Sequence, residues 1–296
     1  QAAGVTKEYG RVTALSDFTA DITSPATGRL GANGAGKSTF MKIALGLIAA
    51  TSGQIRVLGL DAATQRGQIR QRVGYMPEHD CLPRDLSAVD LVVQLGQLRG
   101  LPRRDAVRRA SDVLFAVGLE EERRRFIGTY SLGMKQRTKL AQALVHGPDL
   151  VVLDEPTNGL DPAGRAEMLS IIRRLSHELG IGVLVSSHVL EDIERTCNEV
   201  LVLHQGRLVR RAPVHEQVGT GPVSIRVTGN VAEFAHALNE RGIPTTPDRS
   251  GDIRLERADP AILDLVRDLA VERGVGLLRI ADEEHRLEDV VVGAMQ

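Results

Sequence analysis

The chain of 296 residues is poor in cysteine and has no long apolar run, and both shortages limit what it can be. Its two cysteines, Cys81 and Cys197, lie far apart and match no metal-binding or redox spacing. We therefore expect two reduced thiols in a cytosolic protein. No apolar stretch approaches the roughly 18 to 20 residues that a membrane-spanning helix needs. Any role at a membrane must therefore come through a partner.

Strong net charge is also lacking, since the formal value is -1, so the chain as a whole is not built to bind a polyanion. Lysine is scarce beside arginine. Arginine clusters at 103–104, 108–109 and 123–125 alternate with acidic residues, which favours a solvated helical face over nucleic-acid binding. The start, Gln1-Ala-Ala-Gly-Val5, is not typical of a signal peptide, and without an initiator Met it is consistent with a cut N-terminus.

Residues 31–38, Gly-Ala-Asn-Gly-Ala-Gly-Lys-Ser, match the phosphate-binding pattern GxxxxGK[ST]. Glycines let backbone N–H groups turn toward an anion, and the helix predicted at Thr39–Leu47 points its positive end at the phosphates. Lys37 would neutralise the β- and γ-phosphates, and the Ser38 hydroxyl would bind Mg²⁺. We predict nucleotide binding by Asn33, Gly34, Ala35, Gly36, Lys37, Ser38 and Thr39.

Two further patterns surround this loop. The stretch before it, Pro25–Leu30, is polar and contains a proline, so we predict a short or irregular strand there. The helix after it is predicted to bury one face, formed by Phe40, Ile43, Ala44 and Leu47.

Asp154 and Glu155 follow the apolar run 150–153, which is typical of a buried parallel strand. A carboxylate at that position suits a Mg²⁺ site, and we assign this role to Asp154. Glu155 beside it is the candidate general base that polarises the attacking water. Alone, such a pair could be an ordinary acidic strand end. The residues that follow, Pro-Thr-Asn-Gly-Leu-Asp161, favour the catalytic interpretation.

With these motifs the chain resembles the nucleotide-binding domain of ABC ATPases over residues 1 to about 215. The resemblance rests on ordered matches to the family's adenine-stacking aromatic, Q-loop, signature sequence, D-loop and switch, which are Tyr9, Pro77-Glu78, Tyr130 to Gln136, Gly159 to Asp161, and Ser187-His188. It implies that ATP lies between two domains paired head to tail.

The resemblance also implies individual roles. Ser131 and Gly133, at a helix N-terminus, would bind the γ-phosphate of the opposite subunit. Ser131 is also the predicted N-cap of that helix. His188 would bind the γ-phosphate and orient the water with Glu155, and Asp161 would line the nucleotide. Glu78 replaces the usual glutamine and would approach Mg²⁺ or the attacking water. Glu78, and Leu132 where many relatives have glycine, look like marks of ABC-2-type exporters.

The predicted fold class is α/β. Residues 1–218 would form the P-loop ATPase domain, with a helical subdomain at about 80–147. After a linker at Gly219–Pro222, residues 222–296 read βαββαβ, which suits a ferredoxin-like α+β accessory domain. We predict that an amphipathic segment, Leu287–Met295, packs on it. The motif at 287–290 resembles the end of some ABC-2-type ATPases, where the domain would stabilise, contact a dimer partner or sense a ligand.

We therefore predict the cytoplasmic ATPase subunit of an ABC-2-type exporter, with ATP and Mg²⁺ as cofactors. It would form a homodimer and sit on the inner membrane face through a separate permease, without binding nucleic acid directly. Two alternatives remain open. One is a soluble ABC ATPase acting on nucleic acid or ribosomes, which salt-sensitive RNA or DNA binding would favour. The other is a nucleotide sensor without turnover.

Overall fold

The structure is a computed structural model that describes residues 1–32, 34–214, 223–247, 252–255 and 260–282. The chain divides into two compact units, the first at Gln1–Val214, and the described residues of the second lie between 223 and 282. The first unit has two sheets and the second has one, and each unit has its own buried core. Asn33, the predicted linker at Gly219–Pro222, and the segment Leu287–Met295 with its terminal motif lie outside the described residues.

The first unit alternates strands and helices along the chain. Its strands are Ala2–Tyr9 (β1), Val12–Ala20 (β2), Ala26–Leu30 (β3), Ser52–Val57 (β4), Leu60–Asp61 (β5), Val73–Met76 (β6), Leu150–Asp154 (β7), Gly182–Ser187 (β8), Glu199–His204 (β9) and Arg207–Pro213 (β10). Its helices are Lys37–Ala44 (α1), Arg66–Arg72 (α2), Ala88–Leu98 (α3), Arg103–Ala116 (α4), Leu132–Leu144 (α5), Pro162–His177 (α6) and Leu190–Thr196 (α7).

A six-stranded sheet forms the centre of this unit, in the order β10-β9-β3-β8-β7-β6. The five strands from β9 to β6 run parallel, and β10 returns antiparallel from β9. Of the two predicted alternatives for β3, short or irregular, the structure shows a short strand of five residues that is regular. All five of its residues are buried, and it pairs in unbroken register with β8 and β9. Two neighbouring strands satisfy its backbone, so its polar composition does not disturb it.

Helix α1 lies in the main core, between the central sheet and an antiparallel sheet of order β2-β1-β4-β5. The rings of Phe18 and Phe40 are 4.6 Å apart there, a stabilising aromatic pair. Phe40, Ile43 and Ala44 are buried, as predicted. Leu47 is 49% exposed, so its assignment to that face is wrong. The helix ends before it, because Gly46 adopts the left-handed conformation.

The region between β6 and β7 is helical, as predicted. It contains α3, α4 and α5, with short 3₁₀ turns at Glu122–Arg124 and Ile127–Thr129. The predicted N-cap is confirmed, since the Ser131 hydroxyl accepts a bond from the Met134 N–H. Across the ranges given above, none of the helices is both long and apolar enough to cross a membrane.

The second unit has the predicted βαββαβ order. Its elements are Val223–Val227 (β11), Val231–Glu240 (α8), Thr245–Pro247 (β12), Ile253–Leu255 (β13), Pro260–Glu272 (α9) and Leu277–Asp282 (β14). The strands form an antiparallel sheet in the order β12-β13-β11-β14, which is the ferredoxin-like arrangement. Its core combines strand residues such as Ile225 with helix residues such as Phe234 and Leu269.

Candidate active site

The glycine-rich loop connects β3 to α1, and its backbone lies close to neighbouring strands. Gly34 and Gly36 have φ values of 83° and 93°, which L-residues with side chains rarely adopt. A Cβ on Gly36 would lie 2.5 Å from the carbonyl oxygen of Ala14, and one on Gly31 would lie 2.6 Å from that of Leu203. The loop thus fits a phosphate group, because its backbone is bent and held at the N-terminus of α1.

Lys37 is the first residue of α1 and is only 7% exposed. Its Nζ donates a hydrogen bond to the carbonyl oxygen of Gly31 at 2.5 Å. The same Nζ lies 3.3 Å from Oε1 of Glu155. The ammonium group therefore sits between the phosphate-binding loop and the end of β7.

Glu155 and His188 meet at the carboxyl ends of β7 and β8. Glu155 adopts a left-handed φ of 49°, and its N–H donates to the carbonyl oxygen of Ser186 at 3.0 Å. This uncommon conformation turns its side chain out of the strand direction. Oε2 of Glu155 is 2.8 Å from Nδ1 of His188, whose side chain is half-exposed. A buried carboxylate is thereby linked to an imidazole that solvent can reach.

Ser38 and Asp154 are joined by a hydrogen bond between two oxygen atoms. The Ser38 hydroxyl donates to Oδ2 of Asp154 at 3.2 Å. Mg²⁺ prefers oxygen ligands in octahedral geometry at about 2.1 Å, which places adjacent ligands about 3 Å apart. The two side chains therefore fit this ion.

Glu78 follows β6, and its carboxylate accepts a hydrogen bond from Nδ2 of Asn158 at 3.3 Å. Asn158 is held in turn, because Nε2 of Gln136 donates to its carbonyl oxygen at 3.3 Å. The described contacts connect Glu78 to the segment after Glu155. Its approach to Mg²⁺ stays a prediction.

One face of α5 contacts the residues around Glu78, and the sequence analysis did not predict this contact. Nζ of Lys139 is buried and donates to the carbonyl oxygens of Pro77, Glu78 and His79 at 2.7, 2.8 and 3.4 Å. One turn earlier on α5, Lys135 pairs with Asp80 at 3.1 Å. We name residues 77–81 the Q-segment. The sequence feature that could have indicated this contact is the pair Lys135 and Lys139, four residues apart in a chain with few lysines.

Burial lowers the pKa of Lys139, and nearby acidic groups, including the thiol of Cys81 and the carboxyl of Asp80, oppose that shift. Three carbonyl oxygens accept hydrogen bonds from Nζ, and these bonds favour its charged ammonium form.

The remaining predicted residues lie apart from this cluster. Tyr9 is half-exposed at the end of β1, with Nζ of Lys7 5.0 Å from its ring centre. Ser131 and Gly133 start α5, and Asp161 precedes α6. In the part of the chain that the structure describes, no hydrogen bond joins these residues to the phosphate-binding loop. Their roles toward a nucleotide stay predictions.

Known proteins share the sequence pattern and the fold of this chain. The ABC transporter family matches residues 24–158. The bacitracin transport ATP-binding protein BcrA of Enterococcus faecalis is 32% identical, over 98% of this chain and 94% of that protein. The linearmycin resistance ATP-binding protein LnrL of Bacillus subtilis (strain 168) is 35% identical, over 71% and 67%.

A solved structure shares the fold of the first unit. It is the dimeric post-hydrolysis state of the ATP-binding cassette MJ0796 bound to ADP and Pi. The TM-score is 0.66 at 23% identity, covering 73% of this chain and 99% of that one. Together with the site geometry and the full-length relative, this identifies the chain as an ATPase that belongs to the ATP-binding proteins of ABC transporters.

Proposed function

We propose that this chain is the ATP-hydrolysing subunit of an exporter, and that two copies close on ATP to drive a separate membrane permease. The observation that carries the proposal is the position of Glu155, whose carboxylate oxygens lie 3.3 Å from Lys37 and 2.8 Å from His188. The carboxylate that would act as the base is thereby held between its orienting partner, His188, and the phosphate-binding cation, Lys37.

In this mechanism Lys37 and the loop N–H groups bind the β- and γ-phosphates. Glu155 accepts a proton from the attacking water, and His188 holds that water in line with the γ-phosphorus. Mg²⁺, held by Ser38 and Asp154, would neutralise phosphate charge when bound.

We propose that the opposite copy completes the site with Ser131 and Gly133. Both lie at the N-terminus of α5, where the helix dipole and backbone N–H groups favour an anion. One chain carries every motif, so a homodimer is sufficient.

The helical region would contact the permease at the inner face of the membrane. It exposes large apolar side chains, which support such a contact: Leu98 at 81%, Phe115 at 64% and Phe126 at 62%. The relatives named for bacitracin and linearmycin favour an antibiotic as the exported compound. We assign residues 222–296 to the accessory domain. We propose an ABC-2-type permease as the partner.

The proposal is tested with purified Glu155→Gln by light scattering. Without the base, ATP stays bound, so Mg-ATP should shift the chain from monomer to dimer while phosphate release falls by about 100-fold or more. The matched control is the double variant Glu155→Gln/Lys37→Ala, which should stay monomeric because it lacks the phosphate-binding cation. Normal turnover by Glu155→Gln would refute the assignment of the base. A monomer that binds ATP would show that closure needs the permease.

A further inference from the structure

Arg29 lies in the middle of the central sheet, where a charged side chain is rare. It is on β3, two residues before the phosphate-binding loop, and it is fully buried. Among the described residues, its Nε, Nη1 and Nη2 have no hydrogen-bond partner. A buried guanidinium without compensation destabilises a protein strongly. Something in its surroundings must therefore stabilise the charge.

The sheet register places Arg29 in line with the metal-site carboxylate. Arg29 is paired with Ser186 across β3 and β8, and Ser186 is paired with Asp154 across β8 and β7. Registered residues of adjacent parallel strands project from the same face of a sheet. Arg29, Ser186 and Asp154 therefore form one row of side chains beneath α1. The Ser186 hydroxyl is buried too and has no partner in the described part of the chain.

Contacts with α1 confirm which face this row occupies. The Cζ atom of Arg29 is 4.9 Å from the ring centre of Phe40, a favourable cation–π distance. Ser38, two residues earlier on the same helix, donates to Asp154. The cation and the carboxylate thus lie under the same helix.

The charges of this row are unevenly distributed. Glu155 has Lys37 and His188 as partners. In the described ranges, Asp154 has no basic side chain within 4.0 Å, although it is buried. Burial lowers the pKa of Arg29 to about 10, against the opposing effect of the Asp154 and Glu155 carboxylates. Arg29 therefore carries its charge at neutral pH.

We propose that Arg29 is a positioning residue that acts through Asp154. It is a permanent internal cation, aligned with Asp154 through Ser186, which stabilises that carboxylate in the metal-free protein and competes with Mg²⁺ for its charge. The proposal deepens the function proposed above, since it assigns this strand residue a role in setting the metal requirement.

The first test is the Mg²⁺ dependence of ATP binding, measured with a fluorescent ATP analogue in the Glu155→Gln background. Arg29→Met removes the cation at similar length and should lower the Mg²⁺ concentration for half-maximal binding about tenfold. Arg29→Lys keeps the charge and should stay within about twofold of the parent. Equal Mg²⁺ dependence in all three proteins would overturn the proposal.

The second test uses neither metal nor nucleotide, so it separates this proposal from the ATPase function. Urea unfolding is measured for the full chain with Arg29→Met, Asp154→Asn and both changes, in EDTA. Because the two groups interact, Arg29→Met should cost less stability in the Asp154→Asn background than in the parent. Additive effects would overturn the proposal.

A folding failure is also informative. If Arg29→Met does not fold but the double variant does, the arginine is needed because Asp154 is charged, which supports the proposal. If neither folds, the need for Arg29 is independent of Asp154, and the proposal is wrong. Absence of turnover in the parent protein together with its permease would refute the proposed function and leave the measured coupling intact.

Discussion

At the scale of single residues, the phosphate-binding loop depends on backbone conformations that only glycine tolerates well. Gly34 and Gly36 both have left-handed φ values, but their surroundings differ. A Cβ on Gly34 would meet no atom within 4 Å, whereas one on Gly36 would collide with the carbonyl oxygen of Ala14. The two positions therefore separate conformational strain from steric collision.

Gly36→Ala should lower the free energy of unfolding by about 2 to 3 kcal/mol, because strain and collision add. Gly34→Ala is its matched control and should cost only about 1 kcal/mol. Urea unfolding measures both values. ATP affinity should fall at least about tenfold more in Gly36→Ala, measured with the fluorescent analogue. Equal losses in the two variants would contradict the collision with β2.

The residues that gather around Glu155 could be predicted from their order in the sequence. Lys37 belongs to the phosphate-binding pattern, Asp154 follows an apolar run, and the family resemblance identified His188. The carboxyl ends of parallel strands lie at one edge of a sheet, which brings these residues together. Arg29 could not be predicted in this way. An arginine in a polar stretch is normally exposed, and only the structure shows that Arg29 is buried and aligned with Asp154 through Ser186.

At the scale of secondary-structure elements, side-chain hydrogen bonds join α5 to the Q-segment. Lys135, Lys139 and Gln142 lie on one face of the helix and contact residues from Pro77 to Cys81. We therefore expect the helix capped by Ser131 and the segment that contains Glu78 to move together. A displacement at Glu78 would reach the residues proposed to bind the second nucleotide.

Lys139→Met should weaken this connection. It leaves three carbonyl oxygens without their donor, so we expect a loss of about 3 kcal/mol in the free energy of unfolding. Hydrogen exchange of residues 77–81 should rise. Lys135→Met is the control, because its partner Asp80 is exposed and such pairs contribute less than about 1 kcal/mol. Unchanged exchange in Lys139→Met would show that the segment is held by other contacts.

The order of the elements could be predicted from the sequence, but the regularity of β3 and the end of α1 could not. The apolar run at 150–153 identified a buried strand, and β7 is a parallel member of the central sheet. Strand β3 was predicted to be short or irregular from its polar composition, but it is regular because it pairs on both edges. Leu47 was assigned to α1 by periodicity, which does not reveal where a left-handed glycine ends a helix.

At the scale of the whole molecule, His146 makes stability depend on pH. Burial and the nearby guanidinium of Arg99 lower the pKa of His146 from 6.5 to about 4, although a hydrogen bond to the carbonyl oxygen of Val73 opposes the shift. The unfolded chain therefore takes up a proton first as the pH falls. Its contribution to stability is full above pH 6.5 and is lost between pH 6.5 and 4.

His146→Gln removes this titrating group and leaves the others in place. Between pH 7 and pH 4 the parent should lose about 2 kcal/mol more stability than the variant, after allowance for solvent screening. Urea unfolding at several pH values measures the difference, and other groups cancel in the comparison. Parallel stability curves for the two proteins would show that His146 keeps its ordinary pKa in the folded state.

Gly28 on β3 has a consequence for how the site can move. A Cβ at this position would lie 2.3 Å from Cγ2 of Ile193, so α7 rests directly on the strand backbone. His188 stands two residues before α7, and no side chain of Gly28 separates that helix from the sheet. Because Ile193 already packs against the backbone at Gly28, α7 has no space to move closer to the sheet. We therefore expect a reorientation of His188 to involve its own side chain and the two residues from His188 to the helix, and not a shift of α7 toward the sheet.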